Sequence, residues 1–369
     1  MRVRTTAEAL LSALRVADVI GVTRLADVTG FDRIGIPVWQ AVRPQSRSLA
    51  VHQGKGASSV TARISAVMEA FEHWCAEQVA AGEVRIATPA EAALWVGQLR
   101  PQFGHLLREP IAWLPGRDLL NDRAASAPRG VLNMDFTASD AGFGTNSTGT
   151  AAGGSREEAR LAALCELAER AADHRFRTMT LAERMERLVD PSSLRSRRCR
   201  WAVARIERAG FRLLLWQISD DPAVAAIAAA IYDDVGAPFP LKPAVGSAAR
   251  LSVEQAAFAA IIEAAQIRVT LIAGARDDLG VHAYPADAAA ASAAGLRHRL
   301  QHAGLRGAGG APPPQPAPPR TLPEANAVLL AHLAGLGAPA VIEVDITVGD
   351  SGLSAVHTFA PGVRDGTRP

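Results

Sequence analysis

A chain of 369 residues and 38.7 kDa, about half hydrophobic and a fifth charged, can bury a large core and is too apolar to be a disordered chain. Its 39 basic and 37 acidic residues, spread along the chain, leave a net charge of +2, which argues against nucleic acid as a partner. Three cysteines (Cys75, Cys165, Cys199) form no CxxC pair, so they read as reduced, buried thiols of a cytoplasmic protein.

In chain order, Thr6 to Ala17 reads as an amphipathic helix with Leu10, Leu11, Leu14 and Ala17 on one face, and the N-terminus carries no signal-peptide core. Strands are predicted at Ile36–Val42 and Leu49–His52, the second ended by Gly54-Lys55-Gly56, and a long helix follows over Ser58–Ala80. A polar, irregular stretch runs from Gly82 to Asp140, with a helix expected at Pro89–Leu99. A second Gly-rich segment, Gly142 to Gly154, opens another long helix at Ser155. Phe211–Ile218 and Ala223–Tyr232 read as neighbouring strands, and a third long helix starts near Ser252. The apolar run from Pro222 to Tyr232 falls short of the roughly 20 residues that span a bilayer, so no membrane partner is expected. Residues 304–320 are Gly/Pro-rich and read as a flexible surface loop. A helix at Leu322–Leu336 and strands at Ala340–Ile346 and Leu353–Phe359 complete an α/β pattern that reads as one unit rather than two unrelated domains.

The three long helices share a register. Glu69, Glu166 and Glu263 are spaced 97 residues apart, and each is preceded by eleven residues by a serine (Ser58, Ser155, Ser252). Alanine stands seven before (Ala62, Ala159, Ala256) and three before (Ala66, Ala163, Ala260); Glu72, Glu169 and Gln266 stand three after. The serines are placed to cap helix starts, and Ser155 with Glu158 and Ser252 with Gln255 fit the capping-box spacing. Alanines at helical spacing leave room for a neighbouring element or a ligand to approach. The acidic pairs are the anomaly: adjacent carboxylates on strongly apolar helices repel each other and are costly to bury without a cation. One such pair is ordinarily solvated or bonded to arginine; three in one register behind the same cap argue for a bound ion. Hard oxygen donors without His or Cys beside them suit Mg²⁺, which shares its remaining positions with phosphate oxygens and water, so a nucleotide is implied. No P-loop, GxGxxG fingerprint or GxSxG elbow is present. His298 and His302, four residues apart, lack a third ligand and read as a surface pair.

These residues resemble the signatures of the YcaO family: Gly54-Lys55-Gly56 with Ala62 and Ser65–Glu72, then Gly149–Ser155 with Glu158, Ala159 and Glu166–Arg170, then Glu263–Arg268. The resemblance runs from about Asp27 to Ala360-Pro361-Gly362, giving a YcaO domain over 27–369 behind an N-terminal helical segment, 1–26. It implies a non-P-loop ATP-binding fold in which three Glu-bearing helices pack with β-sheets. It further implies ATP and Mg²⁺ as cofactors, with Glu69, Glu72, Glu166 and Glu169 as metal ligands and Glu158 beside them. Lys55, Arg170 and Arg268 would face phosphates, and Glu263 and Gln266 would complete the nucleotide site. The activity implied is O-phosphorylation of a peptide backbone amide, leading to an azoline, an amidine or a thioamide. Gly154 stands where many members have Asn and Ala259 where Arg is common, which puts two contacts in question. Asp27–Pro37 and Gly274–Asp278 resemble the members that work with a TfuA-type partner. The PxPxP ending of azoline-forming members is absent after Arg364. The expected function is therefore thioamide formation in a peptide or protein with a TfuA-type partner. The alternatives are an azoline-forming cyclodehydratase and a nucleotide-binding scaffold without turnover; a homodimer is compatible with all three.

Overall fold

A computed structural model describes residues 3–79, 85–87, 110–138, 146–233, 243–279 and 309–363. Helix α1 (Thr6–Val19) is capped by Thr5, whose hydroxyl accepts from the Glu8 amide while the Glu8 carboxylate accepts from the Thr5 amide. Its buried face is Ala13, Val16 and Ala17 rather than the predicted leucine stripe, and Leu11 is exposed. The small residues are inside because α1 lies close along α2 (Ser59–Glu77).

Strands β1 (Arg24–Asp27), β2 (Val38–Val42) and β3 (Val51–Lys55) form an antiparallel sheet. Gly54 and Lys55 do not end the second predicted strand; both belong to β3, paired with Trp39 and Val38. The stretch read as irregular contains β4 (Arg85–Ala87), β5 (Ile111–Asp118) and β6 (Arg123–Pro128). Pro115 and Gly116 within β5 hid it from a propensity reading. The helix expected at Pro89–Leu99 lies outside the described residues, as do His298 and His302.

Next come β7 (Thr150–Gly153), α3 (Arg156–Thr178), β8 (Leu188–Val189), α4 (Arg197–Arg208), β9 (Phe211–Gln217), β10 (Ala225–Asp233) and β11 (Ala244–Arg250). Helix α5 (Val253–Ala273), helix α6 (Leu322–Gly335), β12 (Ile342–Asp345) and β13 (Ser354–Phe359) complete the chain. Every pairing between these strands is antiparallel. Beside the three-stranded sheet stand a four-stranded sheet in the order β11-β10-β9-β8 and a six-stranded one in the order β4-β5-β12-β13-β7, with β6 on β5.

The four-stranded sheet is covered on both faces. Ile227, Ala229 and Ile231 of β10 pack with α4 and α5, while Ala226, Ala228 and Ala230 pack with α3 and α6. That explains why β10 reads as an unbroken apolar run instead of alternating. Helix α5 is by length and composition apolar enough to cross a membrane, which a search for uninterrupted apolar runs overlooks because Glu263, Gln266 and Arg268 punctuate it. In this fold it is a core helix. Cys75, Cys165 and Cys199 are buried and unpaired, as expected.

The caps hold only in part. Ser58 and Ser155 accept from the amides of Thr61 and Glu158, but the Glu158 carboxylate turns to the Gly154 and Val3 amides instead of closing the box. Ser252 makes no side-chain cap. Gln315 takes its place, accepting from the Val253 amide at 2.6 Å and donating to the Pro222 carbonyl at 3.2 Å. Within the described part of the Gly/Pro-rich segment, Gly310 also bridges to Val189, so residues 310–315 are fastened rather than loose. Gln315→Ala is expected to cost about 1 kcal/mol, the usual value of a lost cap, read as a lower urea midpoint with unchanged m.

Candidate functional site

The alanines of the shared register are explained by glycines in the strand before each helix. A Cβ on Gly54 would fall 2.1 Å from the Ala62 carbonyl oxygen and 2.0 Å from the Ala66 amide nitrogen. A Cβ on Gly153 would meet the Ala159 amide at 2.7 Å, and one on Gly246 the Ala260 carbonyl at 2.6 Å. Thus β3 lies against α2, β7 against α3 and β11 against α5, backbone on backbone. Each helix also touches the strand of the next unit: α2 reaches β7, α3 reaches β11 and α5 reaches back to β3.

The acidic register marks those crossings. Glu72 accepts from the Ala152 amide of β7 at 3.0 Å, and Glu169 accepts from the Ser247 hydroxyl of β11 at 3.1 Å. Gln266 donates to the Gln53 side chain of β3 at 3.5 Å. One position, three residues after the key Glu, therefore makes the same crossing in all three units. Strand–helix repetition brings six side chains from positions up to 197 residues apart, Glu69 to Gln266, to one place.

The five carboxylates among them act on one another through charge. Burial raises the carboxyl of Glu69 to about 7, against the nearby charges of Lys55 and Arg276, with Glu263 adding to the rise. Glu72 is raised to about 8, first by burial and then by Glu69 and Glu166, against the Ala152 amide. Glu166 and Glu169 are shifted up too, by burial and in both cases by the charge of Glu263. The protein's own cations stand among them without neutralising them. Lys55 Nζ lies 3.3 Å from Glu263. Arg170 lies 3.3 Å from Glu166 and 3.9 Å from Glu169; burial alone would lower its basicity, but Glu166, Glu169 and Glu263 raise it. A cluster of partly buried carboxylates that holds protons near neutral pH is short of positive charge.

Two sequence-predicted residues are placed elsewhere. Arg268 is buried, bonded to Asp32 at 2.9 Å, with its guanidinium 4.1 Å over the Phe211 ring. It follows Glu263 by five positions, about 140° further around the helix, so it faces away from the carboxylates. Glu158 stays at the start of α3 under the Val3–Arg4 segment; the Cβ of any residue replacing Gly154 would meet Val3 at 2.7 Å. The glycine at 154 thus fits the chain crossing over it. Gln53, Ser247, Arg250 and Arg276 also border the cluster, outside the three signature motifs of the sequence. The first two sit beside the strand glycines, the one signal that could have found them. Arg250 and Arg276 bear on Glu169 and Glu69 through charge.

Residues 53–364 match the model of a family described as YcaO cyclodehydratase, ATP- and Mg²⁺-binding. The chain belongs to the YcaO family. Among relatives of this YcaO protein is one from Rhizobium leguminosarum bv. trifolii, named for its place in the tfuA 3′ region. The two are 34% identical over 277 residues, 72% of this chain and 66% of the relative, so just under two thirds of the relative's length is matched. Among solved structures, YcaO from Methanopyrus kandleri bound with AMPPCP and Mg²⁺ shares the fold with a TM-score of 0.76 at 20% identity, over 100% of this chain and 96% of that one. A heterocyclase in complex with substrate and cofactor shares it with a TM-score of 0.73 at 19% identity, over 99% of this chain and 53% of that one. ATP and Mg²⁺ are the cofactors of this family, and the donor set here suits them: clustered hard oxygen donors short of positive charge, with Lys55 and Arg170 beside them to meet phosphate.

Proposed function

We propose that this YcaO protein activates a peptide backbone amide through ATP-dependent O-phosphorylation and, with a TfuA-type partner, yields a thioamide. The observation that carries the activation chemistry is the convergence of Glu69, Glu72, Glu166, Glu169, Glu263 and Gln266 from three helices. ATP with Mg²⁺ supplies the phosphoryl group that makes an amide oxygen able to leave. Glu69, Glu72, Glu166 and Glu169 would hold the metal, and Glu263 and Gln266 would complete the nucleotide site. Lys55 and Arg170 place positive charge where phosphate charge gathers. Arg268 is left out of phosphate contact and holds α5 to Asp32 instead. Glu158 is likewise left outside the cluster, bonded to the Gly154 and Val3 amides at the start of α3.

Support for the thioamide branch comes from the tfuA-region relative, together with the resemblance of Asp27–Pro37 and Gly274–Asp278 to TfuA-associated members. The cyclodehydratase description of the family and the heterocyclase neighbour favour azoline formation as the second reading. Mass spectrometry separates them. Incubation of a precursor peptide with the protein, a TfuA-type partner, ATP, Mg²⁺ and a sulfur source should give the gain of sulfur for oxygen. Loss of one water would establish the azoline reading, and no ATP consumption under any condition would leave a nucleotide-binding scaffold.

Lys55 offers a sharper test of the phosphate side. Its compact ammonium lies 3.3 Å from Glu263, where a planar guanidinium makes different contacts. Lys55→Arg is expected to slow ATP-dependent modification at least about tenfold, near 1.4 kcal/mol in the barrier, with the melting temperature unchanged. Wild-type turnover would show that position 55 supplies charge alone.

A further inference from the structure

His52 and His73 take no part in the nucleotide reading, yet they stand directly behind it. His52 precedes Gly54 by two on β3, so both face α2: Gly54 lies against Ala62 and Ala66, and His52 lies against the following turns. There its ring meets His73 edge-on, with centroids 4.8 Å apart. Glu69 and His73 are four residues apart on α2 and present side chains to one face. One ring nitrogen of each histidine and one carboxylate oxygen of Glu69 lie within 4.8 Å of one another.

Two further observations point to a ligand. His52 is fully buried, and neither ring nitrogen has a hydrogen-bond partner. A neutral imidazole carries one N–H and one lone pair, and leaving both unmet in the interior is costly. His73, also buried, is oriented from behind. Glu77 is ion-paired with Arg43 at 2.8 Å and accepts from the Ser48 hydroxyl at 2.5 Å. With its own hydrogen donated to Glu77, the Ser48 oxygen is left to accept from His73 Nδ1 at 3.3 Å. His73 therefore carries its proton on Nδ1 and its free lone pair on Nε2. An outer partner that fixes tautomer and ring orientation is the usual support of a metal-bound histidine.

We propose that His52, Glu69 and His73 form a site for a borderline divalent cation of the zinc class, sharing Glu69 with the Mg²⁺ carboxylates. Two imidazoles and one carboxylate suit Zn²⁺ or Co²⁺ rather than Mg²⁺. Three protein donors leave one tetrahedral position for water or a soft anion. Tetrahedral donors at zinc bond lengths stand roughly 3.4 Å apart, so the widest pair here must close by up to about 1.5 Å when the ion binds.

The test uses the purified full chain, stripped with chelator and titrated with Co²⁺ and then Zn²⁺. One equivalent of Co²⁺ should give visible absorption of tetrahedral strength that Zn²⁺ abolishes. His52→Gln and His73→Gln should each weaken binding at least about a hundredfold, and Ser48→Ala, at a half-buried surface position, about tenfold. Mg²⁺–ATP affinity should survive in Ser48→Ala. Absence of stoichiometric Co²⁺ and Zn²⁺ binding by the wild-type chain overturns the site, as does undiminished binding in Ser48→Ala together with either folded histidine variant. Nucleotide binding is measured on the same samples. A chain that binds Mg²⁺–ATP but no Co²⁺ refutes this site alone, and one that binds Co²⁺ but no nucleotide refutes the proposed function alone.

Discussion

Replacing Glu72 by Gln should abolish Mg²⁺-dependent ATP binding, at least about a hundredfold in affinity, while making the nucleotide-free protein more stable. The two effects have one cause. Among the described residues Glu72 accepts one hydrogen bond, from the Ala152 amide, and its charge is opposed by those of Glu69 and Glu166. Its ionised form is therefore a liability until a cation arrives. Gln keeps the shape and the amide contact but offers no charge to a metal.

The pH dependence follows from the direction of the shift. The folded protein holds the Glu72 proton up to about 8, against 4.5 as the ordinary value. Between those limits the folded state binds more protons than the unfolded one, so this group makes stability fall as pH rises through that window. Thermal melts without nucleotide should show Glu72→Gln and wild type alike near pH 4.5. The variant should gain steadily toward pH 8, by about 2 kcal/mol once water in the cleft is allowed for. Mg²⁺–ATP should then raise the melting temperature of the wild type and leave the variant where it was. A variant that is less stable at pH 8, or that still gains from Mg²⁺–ATP, would show that the carboxylates serve each other rather than a metal.

Much of this site was legible in the sequence because its repeat is carried by residues with few physical alternatives. Serine at the helix start, alanine at two turns and Glu at the key position survive in one register, and convergence follows from them. What the register could not convey is the partner of each alanine. Gly54, Gly153 and Gly246 precede their helices at different distances, so no fixed spacing links them. Two of the strands that hold them are poor in β-branched residues; β7 is Thr-Ala-Ala-Gly and β11 is Ala-Val-Gly-Ser-Ala-Ala-Arg. Local propensity does not mark such strands, which form because a helix covers them. Arg268 departs from the expected phosphate position for a simpler reason. Its motif neighbours Glu263 and Gln266 are on one face of α5, and helical geometry turns position 268 to the other, where Asp32 from a distant segment takes it. The capping of α5 by Gln315 was equally out of reach, because 62 residues separate donor and acceptor.

The strand–helix contacts that build the site also predict its most fragile point. Gly54→Ala should destabilise the protein by at least about 3 kcal/mol, beyond the usual range for one added methyl group. The added carbon would sit 2.0 Å from the Ala66 nitrogen and 2.1 Å from the Ala62 oxygen, and neither can swing aside as a side chain would. Strand β3 must instead lift off α2, carrying His52 and Lys55 away from Glu69 and Glu263. Nucleotide affinity should therefore fall along with stability. Ala66→Gly should not rescue the variant, since the clash is with main-chain atoms that glycine retains. Gly210→Ala is the control: its φ of +76° strains any side chain, but nothing lies within 4 Å of the new carbon, so a loss of about 1 kcal/mol is expected. Urea titrations of the three variants decide the matter. A Gly54→Ala protein no weaker than Gly210→Ala, or one restored by Ala66→Gly, would mean that β3 and α2 do not meet backbone to backbone, and the explanation for the alanine register would fall with it.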